Sequence, residues 1–253
     1  MAGHSHAANI ARRKGAQDIK RGKIFTKIAR EIIVAAKGGP DISFNAKLRT
    51  VVIKARQAGM PKDRIDAAIA KGSGTGVQEN YESVRYEGYG AGGVAIIVDA
   101  LTDNRNRTAS DLRSIFTKNS GNMGESGSVG FMFDHVGIIE YPAEKILEDA
   151  MLDAAIEAGA ENCETFRPEG AGGIHTITTA FETLGAVRDA LAKIFGDPAS
   201  AKHTFIAKIT APTTGADLEA LMDLVEALED NDDVQEVYTN VEMSDADAQK
   251  LSA

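Results

Sequence analysis

Basic side chains are concentrated at the start of the chain, where their density is typical of phosphate binding. Residues 1–72 contain 16 Lys and Arg against 5 Asp and Glu, whereas residues 73–253 contain 12 against 32. A net charge of +11 in the first segment and −20 in the rest indicates a polyanionic partner, most commonly nucleic acid. The alternative is a solvated face that only keeps the protein soluble. The candidate phosphate contacts are Arg12, Arg13, Lys14, Lys20, Arg21, Lys23, Lys27 and Arg30.

A second candidate patch lies in the acidic part of the chain and consists of Asn104, Arg105, Asn106 and Arg107. Two amides and two guanidinium groups offer several hydrogen-bond donors to phosphates or to base edges. The same patch has a structural interpretation, in which Thr102 or Asp103 caps the next helix and the arginines pair with nearby carboxylates. The sequence leaves both interpretations open.

Residue types that could support catalysis are scattered. Carboxylates and one imidazole fall near predicted strand ends, at Asp99, Asp103, Asp134, His135 and Glu140. Their spacing matches neither a metal site nor a catalytic triad. The only cysteine, Cys163, cannot form an intramolecular disulfide and is expected to be a buried thiol. We therefore expect no enzymatic activity, no cofactor, no metal and no small-molecule substrate.

Three helices are predicted to position the basic residues. Along Asp18–Lys37 one face collects Ile24, Phe25, Ile28, Ile32 and Ala36. The roughly opposite face collects Lys20, Lys23, Lys27, Arg30 and Lys37, and this cationic face is expected to point outward. A second helix is predicted from about Phe44 to Ala58, with Ser43 or Asp41 as its N-cap, and a third from Pro61 to about Lys71.

Beyond the Gly-rich stretch at 72–76, short alternating segments predict an α+β fold. Residues 131–211 give the order β-α-β-β-α-β, which is typical of a ferredoxin-like domain. The flanking segments give β-β-α before it and α-β after it, and these form one sheet if the chain returns. We predict an N-terminal three-helix bundle and two α+β domains, the second inserted into the first. The predicted limits are 1–76 with a flexible N-terminal arm, 77–129 plus 212–253, and 130–211 for the inserted ferredoxin-like domain.

Several motifs resemble one protein family along essentially the whole chain. They are MAGHS at 1–5, RGKIFTK at 21–27, MPKD at 60–63, YEGYG at 86–90, TDNRNRT at 102–108 and VYTN at 237–240. On these motifs the chain is similar to the YebC/PmpR family. The resemblance implies a helical N-terminal domain followed by two α+β domains. It also implies a cytoplasmic DNA-binding transcriptional regulator. Other members look like ribosome-associated translation factors, and mitochondrial relatives are translational activators of cytochrome oxidase synthesis.

This chain departs from the family pattern in its N-terminal arm. Many members have Lys-Trp where His6-Ala7 stand here, and Lys-His where Ala11-Arg12 stand. The missing Trp removes an aromatic ring that can stack on a base. This weakens the prediction that the arm recognises bases.

We expect a non-enzymatic, cytoplasmic, nucleic-acid-binding regulator of gene expression. Its partner is promoter DNA or, alternatively, ribosomal RNA or the ribosome. The family description favours DNA, whereas the acidic remainder of the chain repels a long duplex and no recognition helix can be singled out. No apolar run approaches 18 residues, so a membrane partner is not expected.

Overall fold

The computed structural model describes residues 17–74, 80–167, 172–244 and 246–248, with side chains from Gly22 onward. These residues form two compact units. One extends to Met132 and resumes at Ile209, and the other is Phe133–Lys208.

The first three elements are helices: α1 is Gln17–Ala36, α2 is Ala46–Gln57 and α3 is Lys62–Gly72. Their shared core includes Phe25, Ile32, Leu48 and Ile65. The predicted apolar face of α1 is buried except at Ile24, which is 43% exposed. Gly72 meets α1 so closely that a Cβ there would lie 2.3 Å from the carbonyl oxygen of Ile33.

The cap of α2 differs from the prediction. Asn45, rather than Ser43 or Asp41, caps the helix by accepting from the backbone N–H of Leu48 at 3.0 Å. Its side-chain amide also donates to the carbonyls of Ala35 and Gly39, both at 2.8 Å. Asn45 therefore joins the end of α1 to the start of α2, and Phe44 lies in the loop instead of the helix.

The chain then forms β1 at Glu82–Tyr89, β2 at Ala95–Thr102, α4 at Arg105–Lys118 and β3 at Asn122–Met123. The cap of α4 is Asn104 and not Thr102 or Asp103, the two candidates that the sequence offered. Asn104 caps the helix by accepting from the N–H of Arg107 at 3.1 Å. Arg105 and Arg107 therefore belong to the first turn of a helix.

The described part of the second compact unit contains six strands and α-helices in the order β-α-β-β-α-β, besides a short 3-10 helix at Phe181–Thr183. They are β4 Phe133–Pro142, α5 Glu148–Ala158, β5 Asn162–Phe166, β6 Ile174–Ala180, α6 Leu184–Phe195 and β7 Ser200–Ala207. The sheet order is β5-β6-β4-β7 with every neighbouring pair antiparallel. This is the ferredoxin-like arrangement.

The last elements return to the first unit. They are β8 Ala211–Pro212, α7 Gly215–Glu229, β9 Val234–Thr239 and β10 Val241–Glu242. Strand β9 pairs with β2, which completes a sheet of order β3-β1-β2-β9. Helices α4 and α7 share a core with this sheet, including Ile96, Leu112, Phe116, Leu221 and Leu224.

The predicted α+β class, with N-terminal helices followed by sheet-containing segments, is confirmed. The predicted domain limits at 1–76, 77–129 plus 212–253, and 130–211 stay a prediction about independently folding domains. The helices α1 to α3 and the first sheet lie in one compact unit.

Candidate nucleic-acid interface

The two patches predicted from sequence meet at one carboxylate, Asp233, in the turn between α7 and β9. Asp233 is 4% exposed. Its Oδ1 accepts from Nη1 of Arg30 on α1 at 2.8 Å, and its Oδ2 accepts from Nη2 of Arg107 on α4 at 2.9 Å. Arg30 and Arg107 are therefore both paired with a carboxylate of the protein itself.

Asp233 accepts further hydrogen bonds from a hydroxyl group and from a backbone N–H group. Thr108 Oγ1 donates to Oδ2 at 2.7 Å, and the N–H of Leu101 donates to the Asp233 carbonyl at 2.7 Å. Burial by itself raises the pKa of Asp233, but hydrogen bonds from Thr108 and Arg107, together with the charges of Arg107 and Arg30, lower it overall. The carboxylate is accordingly ionised at neutral pH.

The cationic face of α1 rests against the C-terminal end of α7. Lys23 Nζ donates to the carbonyl of Asp230 at 3.3 Å and lies 3.2 Å from its carboxylate. Lys27 Nζ donates to the carbonyl of Glu229 at 2.7 Å, and Arg30 donates to the carbonyl of Asp232. The last carbonyls of a helix carry a partial negative charge, so cations are stabilised there.

This docking corrects the expectation of an outward-facing cationic side for Lys23, Lys27 and Arg30, whereas Lys37 is exposed and the side chain of Lys20 lies outside the described residues. Lys23, Lys27 and Arg30 are half-buried. Helical periodicity identifies the face opposite the apolar one, but the acidic turn that covers it lies more than 200 residues away in the sequence.

The remaining candidate contacts divide into three groups. Arg12, Arg13 and Lys14 lie outside the described residues, and so do the side chains of Lys20 and Arg21. In the second patch Asn104 is the α4 cap, and Arg107 also pairs with Asp103 at 2.8 Å. Arg105 and Asn106 are exposed, and Arg105 lies 3.9 Å from the carboxylate of Glu82.

Exposed cations also lie on α2 and α3, where sequence analysis did not place contacts. Five of them are Lys47, Arg49, Arg56, Lys62 and Arg64; Lys71 and Lys54, which pairs with Glu31 at 2.8 Å, are exposed as well. Within the described part of the chain, none of these five forms an ion pair with a carboxylate. The sequence of α2 indicates such exposed cations, because Lys47 lies on one edge of its apolar stripe and Arg49 and Arg56 lie on the other.

The candidate catalytic residues are held in structural pairs. Asp99 pairs with Arg85 at 2.9 Å, and Asp134 with Lys208 at 3.1 Å. Glu140 accepts from Ser200 Oγ at 2.6 Å, and His135 stacks on Phe205 with ring centroids 4.4 Å apart. Between Gln17 and Ala248, the described His, Cys, Asp and Glu residues form no group of three or more that could hold a metal.

Cys163 is half-buried instead of fully buried. Burial, with smaller contributions from the charges of Glu148 and Glu164, raises the pKa of its thiol. A thiol with a raised pKa is a poor nucleophile at neutral pH.

None of the described helices is long and apolar enough to cross a membrane.

Two family models and several chains of solved structures match this chain. Residues 5–75 match the model described as the TACO1/YebC protein N-terminal domain, and residues 81–241 match the TACO1/YebC second and third domain. A crystal structure of a conserved hypothetical protein, Aq1575 from Aquifex aeolicus, is 43% identical and aligns with a TM-score of 0.77. The alignment covers 90% of this chain and 93% of that one.

Proposed function

Since this chain belongs to the TACO1/YebC family, we propose that it is a non-enzymatic regulator of gene expression that binds nucleic acid. The observation that supports this most directly is the group of exposed cations on α2 and α3. Phosphates of a nucleic acid replace small counterions at such side chains, which gives sequence-independent affinity.

The proposed contact surface combines these cations with the basic arm. It consists of Lys47, Arg49, Arg56, Lys62 and Arg64 with Arg12, Arg13, Lys14, Lys20, Arg21, Arg105 and Asn106. We assign Lys23, Lys27, Arg30, Asn104 and Arg107 a different role, because their contacts hold α1 and α4 around the α7–β9 turn. They position the surface rather than contact phosphates.

Two kinds of regulator fit this surface. The first is a DNA-binding transcriptional regulator, supported by the name of the family model that matches residues 81–241, which denotes transcriptional regulation. The second is an RNA-binding translation factor acting on the ribosome. It is supported by the net charge of −20 in residues 73–253, which disfavours close approach of a long duplex. Either activity is proposed to take place in the cytoplasm.

The salt dependence of binding tests the surface. Lys47→Gln, Arg56→Gln and Lys62→Gln together should flatten the log–log plot of affinity against salt concentration by about 2 to 3 units, because each of these side chains is expected to neutralise roughly one phosphate. The matched control is Lys118→Gln, Lys145→Gln and Lys193→Gln, which removes the same charge from exposed positions in the acidic part of the chain. Equal slopes for the two triple variants would contradict the proposed surface.

A further inference from the structure

Phe44 is the most exposed large apolar side chain in the described part of the protein, with 90% of its surface accessible. It lies in the loop between α1 and α2, next to the α2 cations of the proposed surface. The other large exposed apolar side chain near it in sequence, Ile53, is 44% exposed and lies on α2. Ile42, two residues before Phe44 in the same loop, is partly buried against the core of the three helices, so this loop presents one exposed aromatic ring.

The loop that presents Phe44 is fixed on both sides of the ring. Arg49 donates from Nε to the carbonyl of Ile42 at 3.1 Å and from Nη2 to the carbonyl of Ser43 at 2.7 Å. The N–H groups of Phe44 and Asn45 both donate to the carbonyl of Asp41, at 3.2 and 2.9 Å. The exposure of the ring is thus a property of an ordered loop, and little conformational freedom is lost when a ligand meets it.

The charges around Phe44 identify the class of ligand. The segment 37–49 contains Lys37, Lys47 and Arg49 against one carboxylate, Asp41. A flat ring beside cations matches the pattern by which single-stranded nucleic acids are bound, with a base stacked on the ring and neighbouring phosphates on the cations. A protein partner is disfavoured because a stable protein interface needs a much larger buried area than one ring supplies.

We propose that Phe44 is a stacking platform for an unpaired base of a single-stranded nucleic acid. The inference rests on the proposed nucleic-acid binding and adds a preference for unpaired strands over duplex.

Tryptophan fluorescence tests the stacking directly, because the chain contains no Trp. Phe44→Trp in the full chain introduces a single reporter, and a short oligouridylate should quench its emission on binding. An abasic strand of the same length should bind through its phosphates without quenching. The control is Phe166→Trp, at a 68% exposed position on β5, whose emission should be unaffected by either strand.

Binding measurements separate this inference from the proposed function. Phe44→Ala should weaken oligouridylate binding about tenfold, leave duplex binding unchanged and preserve the salt slope, whereas Phe44→Tyr should bind normally. Wild-type affinity in Phe44→Ala, or no quenching in Phe44→Trp, would overturn the stacking role and leave the proposed function intact. Failure of the wild-type chain to bind any nucleic acid would reject both. Quenching caused by raising the protein concentration alone would assign Phe44 to contact between copies and would also overturn the proposal.

Discussion

Replacing Asp233 by Asn should weaken the contacts that hold helices α1 and α4 against the α7–β9 turn, and should therefore lower the free energy of unfolding. The substitution keeps the size of the side chain and removes its charge. An amide has one acceptor oxygen, so its NH₂ group must face one of the donors from Arg30, Arg107 or Thr108. Arg30 is the more affected arginine, because Arg107 keeps its pair with Asp103.

The expected cost follows from this geometry. Removing one partner of a fully buried ion pair costs roughly 3 to 5 kcal/mol. Arg107 is half exposed and retains a second carboxylate, so the lower end of this range, about 3 kcal/mol, applies. For a protein of this size, that loss lowers the melting temperature of the unit by about 6 to 12 °C.

The assay is thermal and chemical denaturation, with Asp230→Asn as the control. The Asp230 side chain is 61% exposed, and its pair with Lys23 should contribute less than about 1 kcal/mol. If Asp233→Asn is no more destabilised than Asp230→Asn, Asp233 does not hold these elements together.

The pH dependence gives a second check on Asp233. Its pKa is lower in the folded protein than in the unfolded chain. Its charge therefore stabilises the fold above the unfolded-state pKa of about 3.9, and this stabilisation is lost as the pH falls through the folded-state value. The stability difference between wild type and Asp233→Asn should be constant near neutral pH and shrink below about pH 4.

Two further substitutions test other parts of the fold. Burial raises the pKa of Glu87, but backbone donors at Val129, Gly127 and Gly130, 2.7 to 2.9 Å from its carboxylate, lower it overall. Glu87→Gln should therefore cost about 2 kcal/mol at neutral pH and less in acid, as measured by urea denaturation. The exposed Glu125→Gln serves as its control, and equal stability of the two variants would contradict this role. Gly72→Ala should destabilise the helices by roughly 1 to 3 kcal/mol, because its Cβ would meet the carbonyl of Ile33. Gly22→Ala, where a Cβ has no neighbour within 4 Å, should melt at or above the wild-type temperature.

Much of the fold could be predicted because its determinants are local. The period of apolar residues in α1 and the glycines that end it predict the helix to within one residue at each end. The ferredoxin-like order of the inserted unit follows from the sequence of short segments alone. The sequence offers Thr102 or Asp103 as the cap of α4 instead of Asn104, because all three side chains can cap a helix and the sequence does not choose between neighbouring positions.

The surroundings of the candidate site could not be predicted, because they depend on contacts that are distant in sequence. Nothing near Arg30 indicates that its partner is Asp233, which follows the inserted unit in the chain. Likewise, the exposure of Phe44 depends on Asn45 acting as the helix cap, and the sequence favoured Ser43 or Asp41. The sequence favoured α1 because its cations lie opposite its apolar face, although α2 and α3 together carry seven Lys and Arg in 23 residues against five in the 20 residues of α1.

The most direct test of the central claim is ultraviolet crosslinking in cells, followed by sequencing of the nucleic acid attached to the protein. The wild-type chain should recover nucleic acid well above background, and the identity of the recovered sequences distinguishes promoter DNA from ribosomal RNA. The variant with Lys47→Gln, Arg56→Gln and Lys62→Gln should recover several-fold less, whereas the Lys118, Lys145 and Lys193 variant should match wild type. Recovery at background level for the wild-type chain, or equal recovery for both triple variants, would contradict the proposal that the helical segment binds nucleic acid.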